Sequence, residues 1–80
     1  QKLLEKIGLA VKVARVARNF SQRELAEKIE RSQNLIWNLE NGRTDPGIVL
    51  LLKIGKVLKV PLSYFTEEIE VCMSILVKEN

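Results

Sequence analysis

Ser21-Gln22-Arg23-Glu24 fixes a helix start. The serine hydroxyl can accept the Glu24 amide while the glutamate side chain returns to the Ser21 amide, a reciprocal cap that satisfies two backbone donors at once. A second start follows soon after, at Ser32, a good N-cap immediately ahead of Gln33. Between the two there is room for a single short helix, with Leu25, Ala26 and Ile29 as its apolar face and Glu30-Arg31 as the break. A chain that must start a helix, stop it and start another within this span can only pack two short helices across a tight turn. That geometry constrains everything around it.

The flanking segments supply the rest. Leu4, Ile7, Val11, Ala14 and Ala17 recur at spacings of three and four and predict a first helix to about Arg18, with Gly8 weakening its start and Asn19 as its stop. The third helix is expected over Gln33 to Asn41, with Gly42 where a left-handed C-cap belongs. Asp45 can cap a fourth helix, in which Pro46 suits the first position and Leu50, Leu51, Ile54, Val57 and Leu58 face inward. Leu62 to Phe65 read as a short fifth helix, with Tyr64 and Phe65 in the core. Beyond it the pattern has two readings. Ile69, Val71, Met73, Ile75 and Val77 alternate as a strand would, while Ile69, Cys72, Met73 and Leu76 suit a helix. The domain expected over residues 1–66 is therefore all-α, and 67–80 form a C-terminal extension that is a candidate dimerisation segment.

Eighty residues, 46% apolar and 29% charged, make one globular domain. No apolar run approaches the roughly 20 residues of a membrane span, and no signal-peptide pattern opens the chain. Cys72 has no partner for an internal disulfide, so a cytoplasmic setting is expected. With no histidine there is no Ser-His-Asp or Cys-His site and no histidine metal ligand, and no Gly-rich phosphate loop is present. Neither an enzyme nor a metal, cofactor or small-molecule ligand is expected. Charge is divided unevenly. Residues 1–66 hold 12 Lys/Arg against 6 Asp/Glu, a net of +6, while Glu67, Glu68, Glu70 and Glu79 against Lys78 give the tail a net of −3. A basic body suits a polyanion partner; it also suits an ordinary soluble surface.

Two short helices joined by the turn Glu30 to Ser32 have the shape of a helix-turn-helix. At about 100° per residue, Leu35, Ile36 and Leu39 fall on one side of the third helix. Asn34, Trp37 and Asn38 fall on the other, with Gln33 at its edge. The outer face thus carries uncharged amides. A carboxamide offers a donor and an acceptor together, which matches adenine N6 and N7 in the major groove.

The stretch Ser21 to Ile29, Ser32 to Ile36 and Leu39-Glu40-Asn41-Gly42-Arg43, together with Ile7-Gly8, Arg15, Pro46 and Leu52-Lys53-Ile54 leading to Val60, closely resembles the phage repressor and Cro type of helix-turn-helix domain, the XRE family. The resemblance runs from about Ile7 to Phe65. It implies a five-helix, lambda-repressor-like domain that binds double-stranded operator DNA, usually as a homodimer, in a transcriptional regulator. For matching positions it implies base contacts by Gln33, Asn34 and Asn38 and phosphate contacts by Gln22, Asn41 and Arg43, beside which Trp37 and Ser32 are a candidate base contact and a candidate phosphate contact. Arg15 and Glu40 match a structural ion pair between the first and third helices. Some proteins of this fold act instead as antitoxins or coactivator bridges, so a protein-interaction module is the alternative.

Three residues depart from the family pattern. Glu30 stands where a turn glycine is usual, which implies strain if the position keeps a positive φ, or a turn wound differently. Lys59 replaces a glycine at the end of the fourth helix. Trp37 replaces a small residue near the DNA, where it either stacks on sugar, covers a thymine methyl or packs on a neighbouring helix. Lys53, Lys56 and Lys59 mark the solvated face of the fourth helix, and Cys72 and Met73 read as core or interface residues.

Overall fold

The computed structural model describes residues 2–65 and 67. It turns the apolar spacings into α1 (Lys2–Ala17), α2 (Gln22–Lys28), α3 (Gln33–Glu40) and α4 (Gly47–Leu58), followed by a fifth helical segment at 62–65 and 67. There is no strand among the described residues, and no helix among them is long and apolar enough to cross a membrane. The alternating or helical pattern of Ile69 to Val77 and the candidate dimerisation segment lie outside the described residues, Glu67 apart.

Helices of seven and eight residues are marginal alone, because nucleation costs more than so few hydrogen bonds return. Caps and burial hold α2 and α3. Ser21 Oγ accepts from the Glu24 amide at 3.0 Å and Glu24 Oε1 accepts from the Ser21 amide at 2.9 Å. The Ser21 amide donating to it, together with a hydrogen bond from the Ser21 side chain, holds the Glu24 carboxyl below its ordinary value. Ser32 Oγ accepts from the Leu35 amide at 3.2 Å. On the buried side, Leu25, Ile36, Leu39, Ile54 and Leu58 are each at most 1% exposed, and each contributes about 1.5–3 kcal/mol relative to exposure. Ile7, Val11 and Ala14 of α1, Ala26 and Ile29, Leu50 and Leu51 of α4, and Phe65 complete that core. α3 packs on α1 and α2, and α4 closes against the same two helices.

Some sequence expectations shift. The buried stripe of α1 ends on Ala14 and Arg15, and Ala17 is exposed. Tyr64 is 36% exposed, its ring edge-on to the buried Phe65 at 5.2 Å. Pro46 precedes α4 and does not occupy its first turn. Asp45 Oδ1 accepts from the Gly47 amide at 3.0 Å, and Gly47 takes φ 72°, so regular helix begins one residue later than a proline start requires. α3 ends at Glu40, with Asn41 as its C-cap.

All four helices terminate in the same way. Each closes on a left-handed residue, at Asn19 (φ 61°), Glu30 (58°), Gly42 (69°) and Lys59 (58°), the last being itself the C-cap of α4. The next amide reaches back across the last turn: Phe20 to Arg15 O, Arg31 to Ala26 O, Arg43 to Asn38 O and Val60 to Gly55 O, at 2.9–3.1 Å. This is the Schellman arrangement, built with glycine only once. The turn at Glu30 therefore keeps the positive φ and accepts its strain. At Lys59 the helix end is also secured from outside, by Arg18 Nε donating to Leu58 O at 2.8 Å. Glu30→Gly is expected to raise stability by about 1 kcal/mol, since a left-handed conformation costs a non-glycine residue roughly 1–2 kcal/mol and glycine returns part of that as chain entropy. A higher urea midpoint at unchanged slope is the expected reading; an unchanged or lower midpoint contradicts it.

Candidate nucleic-acid interface

α3 is held from behind. Arg15 and Glu40 meet in a two-pronged pair, Nε to Oε2 at 2.7 Å and Nη2 to Oε1 at 3.1 Å. Their side chains retain 10% and 2% of their exposure. Arg15 Nη1 also donates to Phe20 O at 2.7 Å, and Gln22 Nε2 donates to Glu40 Oε1 at 3.0 Å. One carboxylate at the last residue of α3 thus ties together α1, the start of α2 and α3. The pair also offsets the unfavourable placing of an anion at a helix C-terminus.

In front, α3 presents what the core does not use. Gln33 and Asn34 are exposed and Asn38 is half-buried. Gln22, Gln33, Asn34 and Trp37 line one shallow cleft of about 300 Å³. Gln22 spends one N–H on Glu40, which orients its amide and leaves the carbonyl oxygen and the second N–H for a ligand. Ser32 Oγ accepts the helix cap and keeps its own proton to donate. The cleft combines donors, acceptors and an apolar wall, and carries no charge of its own.

The loop after α3 is organised around Trp37, which is 42% exposed. Asn41 Nδ2 donates to Trp37 O at 2.8 Å, and the Arg43 guanidinium carbon lies 5.0 Å from the Trp37 ring centroid. The structure therefore groups Gln22 with Gln33, Asn34 and Trp37, and Asn41 and Arg43 with Trp37. From the sequence, Asn41 and Arg43 group together as phosphate contacts and Trp37 stands apart among the base contacts. The signal that joins them is Gly42: the left-handed reversal sends the Arg43 amide back to Asn38 O at 2.9 Å and returns that residue over the helix it has just left.

Comparison with known proteins agrees with this fold. A helix-turn-helix family model matches residues 11–65. The chain is similar to multiprotein-bridging factor 1 of Candida albicans, with 38% identity over 56 residues, covering 70% of this chain and 37% of that protein. The chain spans less than half the length of the curated relatives it matches. Among solved structures it is similar to the clp gene regulator ClgR of Corynebacterium glutamicum, at a TM-score of 0.79 and 26% identity, covering 96% of this chain and 82% of that one. The restriction-modification controller protein C.AhdI of Aeromonas hydrophila shares the fold at a TM-score of 0.78 and 23% identity, with 81% and 98% covered. The chain belongs to the helix-turn-helix family.

Proposed function

We propose that this chain is a sequence-specific, double-stranded DNA-binding transcriptional regulator that lays α3 in the major groove. The observation that carries the reading is the outer face of α3. Gln33, Asn34 and Asn38 present amides there that make no side-chain hydrogen bond among the described residues, on a helix whose other side is fully engaged by the core and by Arg15. Amides so placed match adenine edges. Gln22, Ser32, Asn41 and Arg43 surround them with phosphate donors, which set register, and Trp37 lines the same cleft.

Residues 1–66 are the DNA-binding domain in this reading, and 67–80 serve dimerisation, in a cytoplasmic protein that needs no cofactor. A homodimer places two copies of α3 about 34–36 Å apart, one turn of DNA. Selection of bound fragments from random DNA tests the proposal. The expected product is a pseudo-palindromic site. Gln33→Ala or Asn34→Ala relaxes base preference at defined positions by about 1–3 kcal/mol per lost amide–base pair, with little change in thermal stability. A site logo identical in both variants and the wild type rejects the assignment.

The similarity to multiprotein-bridging factor 1 favours one second reading, a protein-interaction module of bridging type. A mobility shift on mixed genomic fragments separates the two. Retention that survives competitor DNA supports the regulator, and no retention at low salt supports the bridge.

A further inference from the structure

We infer that Trp37 is the positioning residue of a phosphate clamp formed by Arg43 and Asn41, and that it acts through them instead of reading base edges. The inference rests on the DNA-binding reading above and refines it.

Both residues of the clamp are fastened to Trp37, Asn41 through the tryptophan carbonyl at 2.8 Å and Arg43 over the tryptophan ring at 5.0 Å. A guanidinium on an aromatic face is attracted by the ring quadrupole. The contact is made through the ring face, and none of the five side-chain N–H donors of Arg43 makes a hydrogen bond among the described residues. No carboxylate pairs with Arg43 among the described residues. Its fork is thus held over the ring, unneutralised, at the end of the helix proposed to enter the groove. That is what two-pronged phosphate binding requires. The Schellman turn at Gly42 fixes the backbone between them, so ring and guanidinium are joined by a short, rigid connection. A small residue at position 37 would provide the same carbonyl for Asn41 but no face for Arg43.

Trp37 is the only tryptophan of the chain, so its fluorescence reports the stack directly. The experiment compares wild type, Trp37→Ala, Trp37→Phe, Arg43→Ala and the Trp37→Ala/Arg43→Ala double variant, binding the selected DNA site and a scrambled duplex over a range of salt. Arg43→Ala is expected to flatten the slope of log affinity against log salt by about 0.9, one phosphate contact, and to shift the tryptophan emission of the free protein. Trp37→Ala moves the slope in the same direction and weakens both duplexes alike by roughly two- to fivefold, the reach of an exposed cation–π contact. Trp37→Phe retains most of the affinity, and the double variant is no weaker than Arg43→Ala. The inference is overturned by an unchanged salt slope in Trp37→Ala, by a changed base preference at a single position, or by additive losses in the double variant. If Trp37→Ala does not fold, the Phe variant and the emission shift decide: a Phe variant as weak as Arg43→Ala, or emission indifferent to Arg43, rejects it. Wild type that binds selectively while these arms fail removes only the role of Trp37; wild type that does not bind DNA removes the functional reading with it.

Discussion

Glu40→Ala is expected to cost about 3–5 kcal/mol, as removal of one partner from a buried ion pair does. A small domain has only about 5–15 kcal/mol in total, so this one change brings the chain near unfolding. The loss has two parts. Arg15 keeps the Phe20 carbonyl but is left as a buried cation with no counter-charge, and the Gln22 amide loses its acceptor. Arg15→Met combined with Glu40→Leu is expected to cost clearly less than the sum of the single changes, because no charge is stranded. A double-mutant cycle in urea, read at the midpoint with constant slope, measures the coupling. Additive costs contradict the claim.

Gly8→Ala is expected to destabilise by about 1–3 kcal/mol, the range for forcing an extra carbon into a packed interface. The expected sign is itself diagnostic, since alanine is better than glycine by about 1 kcal/mol inside an exposed helix. At Gly8 a Cβ would lie 2.3 Å from Leu39 O and 2.9 Å from Glu40 O. Both neighbours are backbone and cannot rotate away, so α1 must lift from the end of α3. The Arg15–Glu40 pair spans the same two helices, so this substitution also stretches it. At roughly 4–8 °C per kcal/mol for a domain of this size, the melting point followed by circular dichroism drops measurably. A rise would show that α1 and α3 adjust freely.

The helices were readable because their determinants are local. Ser21 with Glu24, Ser32, Gly42 and the three-and-four spacing of Leu50, Leu51, Ile54 and Leu58 each act within one or two turns of chain. What escaped depends on neighbours distant in sequence. Gly8 reads as a weak spot in α1 until the carbonyls of Leu39 and Glu40 are seen against it. Arg18 reads as the end of α1 but secures the end of α4 through Leu58 O. Glu30 and Lys59 adopt left-handed conformations that their residue types disfavour, because the Schellman bonds and the packing of the following elements over-determine them. In the candidate interface, the outward amides follow from helical periodicity alone, whereas the stack of Arg43 on Trp37 needs the return path after Gly42.

The division of α3 into two faces bears on how such a protein can change over generations. Ile36, Leu39 and Glu40 carry the attachment to the fold, while the side chains of Gln33, Asn34 and Asn38 carry none of its hydrogen bonds among the described residues. Substitution on the outer face therefore leaves the folded state nearly as populated as before. A lineage can explore new recognition surfaces one residue at a time, with no intermediate sequence that fails to fold. The positions at which drift is lethal and the positions at which it is inventive alternate along a single helix of eight residues.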